Sequence, residues 1–143
     1  MADDDFDLRD FTPYLLQMAA EATSAAFQPA YRERYGMLRT EWRVLFHLGR
    51  YGAMTAREVC DRARLHKTKV SRAVAALERK RLLLRTEVEA DRRRETLALT
   101  PAGERTWRDL TGAARAFDRA LSERLGAAEA AALRRALHRL AGL

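Results

Sequence analysis

Apolar residues recur at Phe11, Tyr14, Leu15, Met18, Ala22, Ala25 and Ala26, in steps of three and four, and this spacing predicts a first long helix. Pro29 either kinks or ends it, unless Ala30 to Tyr35 resumes the helix before Gly36 stops it. Thr40 is placed as the N-cap of a second helix, with Trp42, Leu45, Phe46 and Leu48 inward and Gly49 to Gly52 as its exit. The run Thr55-Ala-Arg-Glu58 then reads as a capping box, in which hydroxyl and carboxylate each satisfy a backbone N–H of the other residue. The short helix it starts carries Val59 and Cys60 and gives out between Arg62 and Leu65. From His66 a further helix separates two faces of different chemistry. Val70, Ala73, Val74 and Leu77 share one, while Thr68, Arg72, Ala75 and Arg79 lie opposite with Lys69 and Ser71 at the flanks.

Leu82 to Val88 and Thr96 to Thr100 read as the strands of a hairpin, with a charged tip around Asp91 to Arg94. Arg92, Arg93 and Arg94 in succession cannot all be buried, so the tip projects. It is either a solvated turn with internal Arg–Glu pairs or a wing whose arginine enters a minor groove. Thr100-Pro101 is an N-cap followed by proline at the first helical position. Trp107, Leu110, Ala114, Phe117, Leu121 and Leu125 then mark a long amphipathic helix, Gly126 ends it, and Leu133, Leu137 and Leu140 mark a last one. The fold class expected is mainly α with a small β-hairpin: a winged helix-turn-helix at 37–100, flanked by helices at 1–36 and 101–143, in one domain spanning 1–143.

Composition narrows the chemistry. A chain of 143 residues with 48% hydrophobic content can bury one core without metal or disulfide support. Cys60 is the single cysteine, which excludes an intrachain disulfide and a cysteine-based zinc cluster. The longest uncharged run is far too short to span a bilayer, and the acidic start ADDDFD is the opposite of a signal peptide's basic flank, so a cytoplasmic protein without membrane association is expected. The seven residues from Met1 to Asp7 have little to bury and are expected to fray.

The net charge of +7 is unevenly placed: residues 1–38 carry net −4, residues 39–100 net +8 and residues 101–143 net +3. A phosphate backbone selects such a concentration, whereas a uniformly solvated surface does not produce it. On the helix from His66, arginine can bridge a guanine edge, serine and threonine can meet bases or phosphate, and lysine adds phosphate attraction. The expected partner is double-stranded DNA.

At this point the chain resembles the MarR family of bacterial winged-helix transcription regulators, over nearly its whole length. The residues that carry the resemblance are HKTKVSRAVAALE, the D-R-R-R wing tip and the L-A-L-T-P-A-G junction. It implies that Lys67, Thr68, Lys69, Ser71 and Arg72 contact the major groove and phosphates. It also implies that Asp91 steadies the wing, that Arg93 enters the minor groove, and that Arg92 and Arg94 flank it. The terminal helices are implied to interdigitate with a second copy, giving a homodimer whose recognition helices lie about one DNA turn, roughly 34 Å, apart on a palindromic site. A repressor released by a small aromatic or phenolic effector is the implied function; a non-specific architectural DNA-binding protein without an effector is the alternative. Arg81 departs from the pattern, since the family usually has glycine between the recognition helix and the strand.

Enzyme chemistry finds no support. His47, His66 and His138 are scattered, and there is no H-E-x-x-H, phosphate-binding glycine loop or G-x-S-x-G, so no catalytic residue, metal site or cofactor is expected. Cys60, between Val59 and Asp61, reads as a small packing residue rather than a redox sensor; in peroxide-sensing relatives the resemblance places the reactive cysteine on the first helix, where this chain has none. His47 is the candidate effector contact, with Phe11, Tyr14 and Trp42 lining a pocket between the dimer helices and the reading head. A satisfied, buried histidine is the other reading.

Overall fold

The computed structural model describes residues 5–88 and 91–143, with only the backbone of 88 and 91–94 described. Six helices and three short strands follow in the order α1 (Thr12–Tyr35), α2 (Arg39–Tyr51), β1 (Met54–Thr55), α3 (Ala56–Ala63), α4 (Lys67–Arg79), β2 (Leu83–Val88), β3 (Asp91–Leu99), α5 (Pro101–Leu125) and α6 (Ala127–Ala141). The result is the mainly helical winged-helix architecture with a small antiparallel sheet.

Pro29 neither ends nor replaces α1, which runs through it to Tyr35. Gly36 terminates the helix in the left-handed region (φ 61°), donating to the Arg32 carbonyl while Met37 donates to that of Tyr31. Asp7, expected to fray, instead caps a 3-10 turn at Leu8–Asp10 by accepting from the Arg9 N–H. Residues 1–4 of that stretch lie outside the described residues.

The cap of α2 is Leu38, not Thr40. A leucine caps because the work is done from within the helix: the buried Glu41 carboxylate accepts the Leu38 N–H and also pairs with Lys80 Nζ at 3.4 Å. Glu41 thereby ties the start of α2 to the end of α4. Arg43 ties α2 to the end of α3 by donating to the Ala63 carbonyl at 2.6 Å, and burial, then the charge of Arg39, pulls its pKa below the ordinary arginine value. Along α2, Leu45 and Leu48 are buried as expected, joined by Val44, while Trp42 and Phe46 are only half-buried.

The core gathers Tyr31, Met37, Val44, Leu45, Leu48, Met54, Val59, Leu83, Leu97 and Leu110 around the inner face of α4, where Val70, Ala73, Val74 and Leu77 are all buried. At Thr55 the hydroxyl accepts the Glu58 N–H (3.2 Å) and the Glu58 carboxylate accepts the Thr55 N–H (3.0 Å), so the capping box forms as read. The sheet order is β1-β3-β2, with Met54 opposite Leu97 and Leu83 opposite Leu99. The hairpin differs from expectation in one respect: Asp91 to Arg94 belong to β3 rather than to the tip, while residues 89–90 lie outside the described residues. Beyond Leu97 the ladder leaves the core, and Thr86, Glu87 and Glu95 are exposed, so charge is no bar to strand pairing there.

Arg81 adopts φ 59°, left-handed, which explains why a glycine suits this exit from α4. Thr100 locks the corner: its hydroxyl donates to the Arg81 carbonyl (2.8 Å) and accepts the Gly103 N–H (3.0 Å), capping α5. Arg81→Gly is therefore expected to raise stability by about 0.5–1 kcal/mol, the left-handed penalty of an L-residue outweighing glycine's entropy cost. A urea denaturation midpoint below that of the wild type would contradict it.

The terminal helices behave differently from the centre. Tyr31 is the one buried residue of α1, and Phe11 (42% exposed), Leu15 (47%) and Met18 stand in solvent. On α6, Leu133, Leu137 and Leu140 are exposed too. The apolar stripes predicted for these helices thus exist but are only partly covered within one chain: Leu133 and Leu137 line a cleft with Leu121 and Leu125 of α5. Among the described residues no helix is long and apolar enough to cross a membrane.

Candidate nucleic-acid interface

The first two turns of α4 present Lys67, Thr68, Lys69, Ser71 and Arg72, all exposed, on the side away from the core. The chain folds this way because its four buried apolar side chains leave no alternative rotation of the helix. His66 serves as the N-cap, its Nδ1 accepting the Thr68 N–H at 3.2 Å. Among the described residues no carboxylate pairs with Lys67, Lys69 or Arg72, whereas Arg34, Lys80, Arg85 and Arg134 all have acidic partners. The recognition face therefore keeps its positive charge for an external anion.

The wing is braced against this helix by Arg85 of β2, a residue the sequence reading did not single out. Its Nε donates to Glu78 of α4 at 2.8 Å and its Nη1 to Glu95 of β3 at 3.3 Å. Burial pulls the Arg85 pKa down, but the bonds and charges of Glu78 and Glu95 more than offset this and leave it raised. The i, i+7 spacing from Glu78 to Arg85 across a helix-to-strand corner carries no local signal that would have marked the pair. The side chains of Asp91, Arg92, Arg93 and Arg94 lie outside the described residues; their backbone places all four on β3, at the far end of the braced hairpin.

Between α3, α4 and the wing lies a cleft of about 450 Å³ with Val70, Val74 and Leu97 at its base and Arg57, Lys67 and Ser71 around it. Cys60 also lines it, half-buried and packed against the core.

The four residues expected to form an effector pocket are not brought together within one chain. Trp42 meets Phe27, Tyr31 and Phe46, and His47 meets Phe46 and Tyr51, so Phe46 joins these two into one aromatic row. The His47 ring is half-buried, with Nδ1 2.7 Å from the Arg43 carbonyl. Phe11 instead packs on Phe6 at the start of α1, 16 residues before Phe27, a span that at 1.5 Å per helical residue is roughly 24 Å. Tyr14 stands on the same distant turn.

A recognition helix whose exposed Lys67, Lys69 and Arg72 have no acidic partner among the described residues, braced through Glu78 to an arginine-bearing β-wing, defines a winged helix-turn-helix DNA-binding protein. Residues 35–94 match the sequence model of the MarR family. The fold matches that of a probable transcriptional regulator from Pseudomonas aeruginosa (TM-score 0.84, 27% identity, covering 94% of this chain and 99% of the other). It also matches the MarR family transcriptional regulator SPO1453 from Silicibacter pomeroyi (0.83, 27%, 96% and 98%). At 23% identity, the fold is shared with BpsR of Bordetella bronchiseptica, whose DNA binding is regulated by 6-hydroxynicotinic acid (TM-score 0.82, 91% and 98%). A search among curated proteins returned no match. Over residues 35–94 the chain thus matches the MarR family, and its fold is that of winged-helix transcriptional regulators.

Proposed function

We propose that the protein is a homodimeric repressor that binds a palindromic operator and is released by a small hydroxylated aromatic acid. The observation that carries the DNA-reading part is the exposed set Lys67, Thr68, Lys69, Ser71 and Arg72, whose cations have no acidic partner among the described residues, with Arg93 of β3 as the wing residue. Two facts support the second copy. Apolar stripes on α1 and α6 stand exposed, and the charges match: residues 1–38 carry net −4, while α6 presents Arg135 and Arg139. The effector reading draws on the ligand of BpsR and on the aromatic row of Trp42, Phe46 and His47. Phe11 and Tyr14 enter such a site only from the partner.

The test begins with duplexes selected by the protein from a random pool, titrated with salt beside random duplex. A specificity ratio well above ten is expected; a ratio near one with equal salt slopes points to a non-specific architectural protein instead. Arg72→Ala should cost about 1–3 kcal/mol on the selected site and relax its sequence preference, whereas Arg93→Ala should weaken binding and lower the salt slope by about 1. An Arg72→Ala variant with unchanged affinity and preference would remove Arg72 from the reading face.

A further inference from the structure

Among the described residues, α6 is hydrogen-bonded to the reading head through one side chain, Arg64. It is the C-cap of α3, in the left-handed region at φ 51°, and stands two positions before the N-cap of α4. Its Nη1 donates to the Ala141 carbonyl at 2.7 Å and its Nη2 to the Gly142 carbonyl at 3.4 Å. Those carbonyls lie at the end of α6, where Gly142, at φ 68°, donates back to Arg139 and Leu143 to His138. A guanidinium fork matches two adjacent carbonyls and the negative end of a helix dipole, which an ammonium meets only as a point charge. Glycine would hold this left-handed position without strain, so the arginine there is explained by what its side chain reaches.

We infer that Arg64 is a positioning residue for DNA binding, a strut that fixes the recognition helix relative to the dimer frame. The inference rests on the proposed dimeric reading. Each head is already joined to the frame at the wing root, where α5 begins against Leu82, and through the core, where Tyr31 of α1 and Leu110 of α5 pack with α2 and α4. These contacts hold the head on the frame; the fork adds a directional one at the turn that leads into α4 and sets that helix's angle. With both in place the two recognition helices keep one separation, and the protein selects one half-site spacing.

The test measures affinity of the full-length protein for its selected palindrome and for versions with one base pair inserted or removed between half-sites, a shift of about 3.4 Å and a tenth of a turn. Wild type should lose roughly tenfold or more on the altered spacings, as expected when two tethered heads no longer engage together. Arg64→Gly removes the fork while suiting the backbone, so its unfolding midpoint should not fall, and its spacing penalty should shrink to within about threefold. Arg64→Lys keeps the charge without the fork and should behave like the glycine variant. If Arg64→Gly keeps the full spacing penalty, the strut is wrong. It is equally wrong if Arg64→Gly weakens all spacings alike with a salt slope lower by about 1 and Arg64→Lys restores both, since Arg64 is then a phosphate contact. A wild type that binds its selected site specifically yet is indifferent to spacing overturns the strut alone; one that shows no specific site overturns the dimeric repressor reading and the strut with it.

Discussion

Gly103→Ala should destabilise the protein by roughly 2–3 kcal/mol, although alanine is the better helix former by about 1 kcal/mol. A Cβ at position 103 would lie 2.0 Å from the Leu82 carbonyl oxygen, 3.0 Å from the Leu82 carbonyl carbon and 3.2 Å from Leu99 Cβ. The first of these is more than 1 Å inside van der Waals contact. The oxygen has little room to retreat, because it accepts the Thr100 N–H at 3.0 Å in the same corner where Thr100 grips Arg81. The clash therefore falls on backbone against backbone, and the first turn of α5 must tilt away from the root of the wing. Gly112→Ala is the internal control: it lies on the same helix, its Cβ would meet nothing within 4 Å, and propensity alone should then stabilise by up to about 1 kcal/mol. Urea denaturation of both variants decides the matter. Two stabilised proteins would mean that the close approach at Gly103 is absent.

That corner also shows what a sequence can and cannot disclose. Thr100-Pro101 and Thr55-Ala-Arg-Glu58 are complete signals within four residues, and both caps form where they were placed. The inner face of α4 is similarly self-contained, since four apolar residues at helical spacing determine which side is left for DNA. Leu38 as a cap was illegible because the acceptor is Glu41, and β1 because two residues cannot show an alternation. The Arg85–Glu78 brace and the Arg64 fork depend on which elements end up side by side, which no local window contains. Within one chain Phe11 and Trp42 stand apart for a related reason: Phe11 caps the start of α1, and the length of that helix separates it from the turn that meets Trp42. Only at Arg81 did a departure from the family pattern point to a structural fact, the positive φ that glycine would occupy freely.

The exposed stripes lead to the second large effect. Changing Leu133 and Leu137 together to aspartate should convert the protein to a monomer and lower affinity for a palindromic site by about 100-fold or more, because tethering two heads is worth 10²–10⁴ in binding without any new contact. In the isolated chain these side chains are 43% and 39% exposed, so the double change removes little of the chain's own core. Part of its cost falls on the cleft shared with Leu121 and Leu125 of α5, and the rest on whatever covers α6. Two carboxylates on that face would also meet the acidic start of a partner's first helix, where Asp7 and Asp10 lie near Phe11 in sequence, and repulsion would add to the lost apolar burial. Leu38→Asp offers a charge-changing control for oligomeric state. Leu38 is 60% exposed and caps α2, so an aspartate there gains an N-cap bond and should leave the dimer intact. Light scattering gives the mass of each variant, and circular dichroism shows that the fold is kept. A folded Leu133→Asp/Leu137→Asp protein with dimer mass would place the interface elsewhere. A folded monomer that still binds the palindrome as tightly as wild type would break the link between the terminal helices and the reading heads.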